Sequence, residues 1–549
     1  MDHGPATRQP AEPSASATVL PGGKTALAGE ATASSHRLER TAKLRVPGSW
    51  PLVAILVVQA LLSLRLVRAD TAFEDEALYL WAGHLEWAHL LHGTPLPQFP
   101  SYFSGAPVLY PPLGALADSV GGLTAARILS LVFMLGATAV LWFTAGRLYG
   151  RRAAFFGAAL FAVLGPTLHL GAFATFDAMS VFLVALAAWF VVRAGDRRDA
   201  TGWMLAAAGS LVLANATSYP SALFDPIVIL LALIVAWPKP GPRLAAARAL
   251  SLLAIVALMI TLLLLIGGSR YLHGVEVTTL ARGVGTDSPA SVLTQSWSWT
   301  GVIIVAAICG AVIAWVSQPR RPQTWLLTLL ALAVLIVPAE QASISSLDSL
   351  NKHVDLGAWF AAIAAGYAVD RLVATSSAGN MRLVTGGACV IALCFPVTLG
   401  ASQSRAFSTS WPNSSSFLAI LRPLVDQGTG HLLVEDPSIA EYYLSVGGQW
   451  ERWSSTRNIV VNASKFAGGP SSTAGIVGDG NAGTFEYYIV QKSYFSLIAL
   501  NFADTTALDK KIAADIKRNH HYHKIEIVQY GQGPAGPAMG TYSIWRYEP

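Results

Sequence analysis

Residues 50–76 read WPLVAILVVQALLSLRLVRADTAFEDE. The apolar run from Trp50 to about Val67 is long enough to cross a bilayer, and Asp70, Glu74, Asp75 and Glu76 follow it at once. Arg40, Lys43 and Arg45 stand before it. Basic flanks of a span stay in the cytoplasm, so the acidic segment is expected outside.

Ten further apolar runs follow, at about 121–147, 153–168, 172–193, 202–218, 220–237, 247–268, 299–317, 323–338, 355–374 and 382–400. Together they predict a polytopic α-helical membrane protein of about eleven spans. With the amino terminus inside, the even loops are predicted to be cytoplasmic. These are short and carry Arg147, Arg151 and Arg152, then Arg193, Arg197 and Arg198, then Lys239, Arg243 and Arg248, then Arg320 and Arg321, then Arg371 and Arg382. The outer segments 69–120, 269–298 and 339–354 hold acids, histidines, Arg270, Arg282 and Lys352 instead. An odd number of spans puts the carboxyl terminus outside.

Composition agrees with this reading. Of the 549 residues 53% are hydrophobic and 13% charged, and the mean hydropathy is +0.48. Soluble domains carry about 25% charged residues, so an ordinary soluble enzyme and a disordered chain are both excluded. The net charge of +5 is too small to argue for a nucleic-acid partner. Cys309, Cys389 and Cys394 lie in apolar runs, and no disulfide framework is expected.

Residues 1–45 are rich in Ala, Ser, Thr, Pro and Gly and read as a disordered cytoplasmic tail. Residues 46–400 form the membrane domain, with its long first outer loop at 69–120. Residues 401–549 have the composition of a soluble α/β domain outside the membrane. Strands are predicted at His431–Glu435, Asn458–Val461, Tyr487–Gln491, Lys524–Gln529 and Tyr542–Arg546, and helices at Ser438–Val446 and Ala507–Arg518. The Gly-rich stretch Gly468–Gly483 lacks a phosphate-loop pattern. His520, His521 and His523 read as a solvated turn before a strand, with metal binding as the alternative.

Chemistry is expected at the outer face. Phe73–Leu91 is too polar to span and reads as an interfacial amphipathic helix, with Glu74, Asp75 and Glu76 in its first turn. Acids there complement the helix dipole; they also provide carboxylates for chemistry. Asp177 sits near the outer end of a span, where an ionisable group is costly. Asp75 and Asp177 at one membrane depth could hold a divalent cation, Mg or Mn, or supply a general base. Lys352, His353 and Arg270 could neutralise a phosphate, or snorkel to the interface.

In order, the chain has Asp75-Glu76 and Tyr79 opening a long outer loop, Tyr110–Leu113 (YPPL) leading into Arg127–Ser130 (RILS), Asp177 at the start of a span, and a soluble outer domain at the end. This order resembles the GT-C membrane glycosyltransferases, in particular the protein O-mannosyltransferases and the lipid A aminoarabinose transferase. The resemblance covers about residues 50–400. It implies an inverting transfer of a sugar from a polyprenyl-phosphate donor to an acceptor hydroxyl on the outer face of a plasma membrane; the Ala- and Arg-rich composition hints at a bacterium. By matching position it implies Asp75 as the catalytic carboxylate, Glu76 as its support and Asp177 as the second acid, with Tyr79, Tyr110 and Tyr219 along the substrate groove. Many members have Thr-Lys-Tyr where this chain has Thr217-Ser218-Tyr219. Lys352 and His353 are the candidates to replace that lysine at the donor phosphate. Sugar and acceptor, whether glycan, lipid or protein, are not legible. The alternative is a transporter or flippase, which would need polar groups or broken helices near mid-membrane. A non-catalytic binding protein would leave the ordered acids unexplained.

Overall fold

The computed structural model describes residues 50–97, 99–281, 283–375, 379–445, 449–462, 474–477, 481–503, 505–531 and 538–549. The amino-terminal tail, Arg282 and most of the Gly-rich stretch lie outside these residues.

The membrane part is helical throughout. Its elements are α1 (Trp50–Leu64), α2 (Glu74–His92), α3 (Tyr110–Tyr149), α4 (Arg151–Ala162), α5 (Gly165–Leu170), α6 (Phe176–Ala194), α7 (Thr201–Thr217), α8 (Asp225–Ala236) and α9 (Pro242–Val275). They continue with α10 (Pro289–Ser317), α11 (Pro322–Leu332), α12 (Ile336–Ser343), α13 (Leu350–Thr375), α14 (Gly379–Ala392) and α15 (Cys394–Phe407). Among the described residues eight helical stretches are long and apolar enough to cross a membrane, and the apolar α1 is shorter, with 15 residues. The run 153–168 is not one helix. α4 ends at Ala162 and α5 restarts at Gly165-Pro166, where proline at the first turn costs no hydrogen bond.

The structure differs from expectation at α3. Tyr110–Leu113 is the first turn of α3, with prolines at its opening positions. α3 therefore begins ahead of its apolar span and reaches it through a break at Gly121–Gly122, where Gly122 has φ 63°. α2 packs against α3 on one side and against α17 (Ser438–Leu444) of the soluble domain on the other. Gly83 permits the first contact, because a Cβ there would meet the Pro111 carbonyl oxygen at 1.9 Å.

α13 is the central helix. From Leu350 to Ala368 nearly every side chain is buried, and the helix packs on α10, α4 and α11. Small residues allow the close approach: a Cβ on Gly366 would meet the Ala153 carbonyl oxygen at 2.2 Å, and one on Gly310 the Ala364 oxygen at 2.4 Å. Trp359 locks α13 to α3 through Nε1, which donates to the Ala137 carbonyl at 2.9 Å. The amino-terminal end of this fixed helix carries Lys352 and His353.

The soluble domain begins with α16 (Ser415–Asp426). Its sheet has the strands β1 (His431–Val434), β2 (Trp453–Ser454), β5 (Phe495–Leu500), β6 (Tyr522–Gly531) and β7 (Ala538–Tyr547), in the order β2-β1-β5-β7-β6. β1 is parallel to β2 and β5, and β7 is antiparallel to β5 and β6. β3 (Ile459–Asn462) and β4 (Ala474–Val477) pair separately as an antiparallel ribbon. Alternate residues divide between two cores. Leu432, Val434, Leu497 and Ala499 face α16, while Leu433, Ile498 and Leu500 join Phe485 of α18 (Ala482–Glu486) and Ile512 and Ile516 of α19 (Thr506–Arg518). Tyr487–Gln491, expected as a strand, is a helical turn continuing α18. Phe485, Tyr488 and Ile489 are buried at helical spacing, and the Asn481 side chain caps the start by accepting from Thr484 N. The neighbouring β5, FSLIAL, takes the strand position. His520, His521 and His523 lie exposed at the turn into β6.

Candidate active site

The segment between α1 and α2 presents the acids, and it is fastened from two directions. Arg127 of α3, buried in the protein, donates from Nη1 to the carbonyls of Val67 and Asp70, at 2.9 and 3.0 Å, and from Nη2 to Thr71, at 3.2 Å. It also pairs with Glu76 through Nε at 2.8 Å and Nη2 at 2.6 Å. Glu76 in turn accepts the backbone N–H groups of Phe73 and Ala174, at 3.0 and 2.7 Å. From the soluble domain, Asn413 donates to Asp70 at 2.7 Å, Ser414 N to Thr71 Oγ1 at 3.0 Å, and Trp411 Nε1 to the Thr71 carbonyl at 3.1 Å. Ala72 N donates to the Tyr443 hydroxyl at 2.9 Å. α17 is fixed beside it by Tyr442, whose hydroxyl donates to Asp118 at 2.6 Å; His84 meets the other Asp118 oxygen at 2.7 Å.

This clamp holds Glu74 and Asp75 at the edge of a cavity of about 310 Å³, walled by Phe73, Phe173, Phe407 and Trp411 and also lined by His169, Asn351 and Lys352. Lys352 reaches Asp75 Oδ2 at 2.5 Å. Its neighbour His353 faces the other acid, with Nε2 3.5 Å from Asp177 Oδ1. That separation suits an ion pair but is long for a hydrogen bond. Thr175 donates to Asp177 Oδ2 at 3.0 Å. Two consecutive residues of α13 thus each present a cationic or protonatable group to one carboxylate. Asp75 is partly exposed to the cavity, and Asp177 is buried behind it at 3% exposure.

Tyr79 lies between the acids and stacks on Phe176 at 4.7 Å. Burial first, then the fields of Asp75, Asp177 and Glu74, push its phenol well above the usual value of 10, so it remains a neutral hydroxyl. Tyr110 is wholly buried, its hydroxyl 3.4 Å from Ser130 Oγ, and does not line the cavity. Tyr219 begins the turn before α8 and is half-buried, its N–H donating to the Ser104 carbonyl at 2.7 Å. Arg270 lies exposed beyond a break in α9 at Gly268, away from the cavity lining.

Glu76 is fully enclosed by donors, which makes it the brace of the acidic turn, not a face of the cavity. Among the described residues no group of three or more His, Cys, Asp or Glu side chains is placed to hold a metal ion. Asp75 and Asp177 turn to Lys352, Thr175 and His353. Sequence reading gave no role to Arg127, His169, Trp411 or Asp355. Arg127 carried a usable signal, being the one charge between residues 121 and 146 of an apolar run. Asp355 is a buried carboxyl in α13 that accepts from Thr167 at 2.9 Å.

Residues 115–266 match the family model of the dolichyl-phosphate-mannose-protein mannosyltransferases. ArnT from Cupriavidus metallidurans, solved bound to undecaprenyl phosphate, superposes with a TM-score of 0.57 at 14% identity, over 91% of this chain and 98% of that one. Its apo state gives 0.58 at 13% identity, over 90% and 98%. The archaeal oligosaccharyltransferase AglB from Archaeoglobus fulgidus, solved with an inhibitory peptide and a dolichol-phosphate, gives 0.54 at 12% identity, over 89% and 74%. No curated protein matches the sequence. The fold is that of the GT-C glycosyltransferases. The family match lies within the membrane part of that fold.

Proposed function

We propose that the protein transfers a sugar from a polyprenyl-phosphate donor to an acceptor hydroxyl at the outer face of a bacterial plasma membrane, with its amino terminus in the cytoplasm. The observation that carries this reading is the Asp75–Lys352 pair at the edge of an aromatic-walled cavity. One group can take a proton and its neighbour can hold an anion.

In this reading the Asp75 carboxylate accepts the acceptor's O–H proton as that oxygen bonds to C1 of the sugar. The C1–O bond to phosphate breaks from the opposite face, and the polyprenyl phosphate leaves with the electron pair. A single displacement inverts the anomeric centre. A phosphate leaving group needs no strong general acid, unlike the two-carboxyl hydrolysis of glycosides. Lys352 meets the negative charge that develops on the leaving phosphate, and an ammonium has three donors with which to serve both Asp75 and phosphate. His353 with Thr175 fixes Asp177, which sets the field around Lys352 and Tyr79. The lipid tail has a place nearby. Phe407 of the cavity wall packs on Trp299 of α10 at 5.1 Å, so the cavity borders the apolar surface of the helices where a lipid tail would lie.

The test offers a panel of polyprenyl-phosphate sugars to the detergent-purified protein and follows release of polyprenyl phosphate, with Asp75→Asn as control. Release that depends on Asp75 supports the transferase and identifies the sugar. A folded protein that neither binds nor cleaves any donor overturns it.

A further inference from the structure

A second cavity, of about 280 Å³, opens between α2, the segment around Pro97–Tyr102 and the soluble domain. Glu74 lines both cavities. Glu74 therefore stands between the two spaces, one residue from Asp75.

The lining of the second cavity is of one chemical kind. Trp81, Trp450 and Trp453 form its walls, with Tyr102 at an exposed edge. Trp450 is fixed by Nε1, which donates to the Pro95 carbonyl at 3.1 Å, and Trp453 is held in β2. The Trp81 indole N–H is buried and without a hydrogen-bond partner. Among the carboxyls, Glu435 is occupied, accepting the N–H groups of Asn501 and Phe502 at 2.7 Å and of Ala503 at 3.0 Å. Glu441 is different. It is 7% exposed, lines the cavity, and its carboxyl has no hydrogen-bond or ion-pair partner among the described residues. Burial makes its charged form costly, and its carboxyl opens to the cavity, where a ligand hydroxyl would hydrogen-bond it.

Charge narrows the ligand. Glu74, Glu435, Asp436 and Glu441 line this space, with Arg457 as the one base among the described residues. A phosphate-bearing acceptor would meet repulsion there. A neutral polyol would not: its hydroxyls hydrogen-bond carboxyls, and the C–H faces of its rings lie well on indole.

We propose that this second cavity is the acceptor subsite and that the acceptor is a neutral glycan, whose terminal hydroxyl passes Glu74 to reach Asp75. The proposal rests on the transferase reading above and gives it a substrate class. Burial and the neighbouring Asp436 raise the Glu441 carboxyl to about 8. At neutral pH it therefore keeps a proton and both donates to and accepts from a sugar hydroxyl. An uncharged partner is what such a group selects.

The test titrates the full-length protein in detergent with short neutral oligosaccharides of mannose, arabinose, galactose and glucose, read by tryptophan fluorescence. Undecaprenyl phosphate is titrated separately as a readout of the donor cavity and of folding. At least one neutral oligosaccharide is expected to bind and quench. Glu441→Ala and Trp450→Ala should each weaken that binding by about tenfold or more, the scale of one lost hydrogen bond to a buried group. Undecaprenyl phosphate should bind both variants as it binds the native protein. Glu441→Gln, which keeps a neutral donor and acceptor, should lose less than Glu441→Ala. If undecaprenyl phosphate binds but no neutral oligosaccharide does, the acceptor proposal falls and the transferase reading stands. The same follows if phosphorylated glycans or peptides bind in a Glu441-dependent way instead. If the native protein binds neither undecaprenyl phosphate nor any glycan, both readings fall.

Discussion

The Glu76 carboxylate and the Arg127 guanidinium meet in two hydrogen bonds, of 2.8 and 2.6 Å, with both side chains closed off from solvent. Each also binds backbone of the acidic turn: Arg127 takes three carbonyls, and Glu76 the N–H of Phe73. Removing one partner of such a pair leaves an uncompensated charge inside, at a cost of roughly 3–5 kcal/mol. Glu76→Gln and Arg127→Leu should therefore each lower the thermal unfolding temperature in detergent markedly, with turnover lost alongside. Native unfolding temperatures in both variants would show that the turn is held by something else.

Asp75→Asn should behave in the opposite way. Asp75 is 27% exposed and its partner Lys352 lines a cavity. The stability cost should stay under about 1 kcal/mol, as for partly solvated pairs. Loss of a general base costs about 10²–10⁴ in rate. The expected result is a protein that unfolds at the native temperature and barely releases polyprenyl phosphate. Turnover close to the native rate would remove Asp75 from the chemistry.

Lys352 and Arg270 separate two ways of holding the donor phosphate. Lys352 lines the cavity, whereas Arg270 is exposed past the Gly268 break. Lys352→Gln should lower kcat by about 10²–10³, the range for losing one preorganised charge-stabilising donor, and should weaken undecaprenyl phosphate binding. Arg270→Gln should change neither. Equal losses would mean that the end of α9 swings over the donor.

The divalent cation is settled by chelation. With Lys352 at Asp75 and His353 at Asp177, the phosphate charge is met by side chains in the proposed mechanism. EDTA should then leave turnover unchanged, and added Mg²⁺ or Mn²⁺ should not raise it. A strict metal requirement would show that both carboxylates turn from their side-chain partners to an ion during the reaction.

The reach of the sequence follows the range of the forces involved. Apolar runs report burial in lipid or core residue by residue, so the helices of the membrane part were legible. β1, β6, β7 and α19 were legible for the same reason. What escaped depends on contacts between distant residues. Tyr487–Gln491 has strand composition, but burial of Tyr488 and Ile489 beside Phe485 selects a helical turn. α2 is amphipathic, and only the docking of α17 decides that protein covers it. Glu76 and Asp75 are adjacent and chemically alike. Nothing local says that Arg127, 51 residues on, will enclose one and leave the other facing a cavity.

Glu441 offers a measurement that needs neither donor nor acceptor. Burial and Asp436 raise its carboxyl from 4.5 to about 8, and Tyr102 is near enough to feel its charge. Below the unfolded value of 4.5 both states hold the proton, and the contribution to stability is fully present. As pH rises from there through about 8 the unfolded state releases its proton while the folded state retains it, so stability falls with pH across that window. Glu441→Gln has no proton to release. Its unfolding temperature should therefore rise relative to the native protein from pH 5 to pH 8, with the gap widest at the alkaline end. Parallel curves for the two proteins would show that Glu441 already has a partner, and the second cavity would lose the group that most requires a ligand.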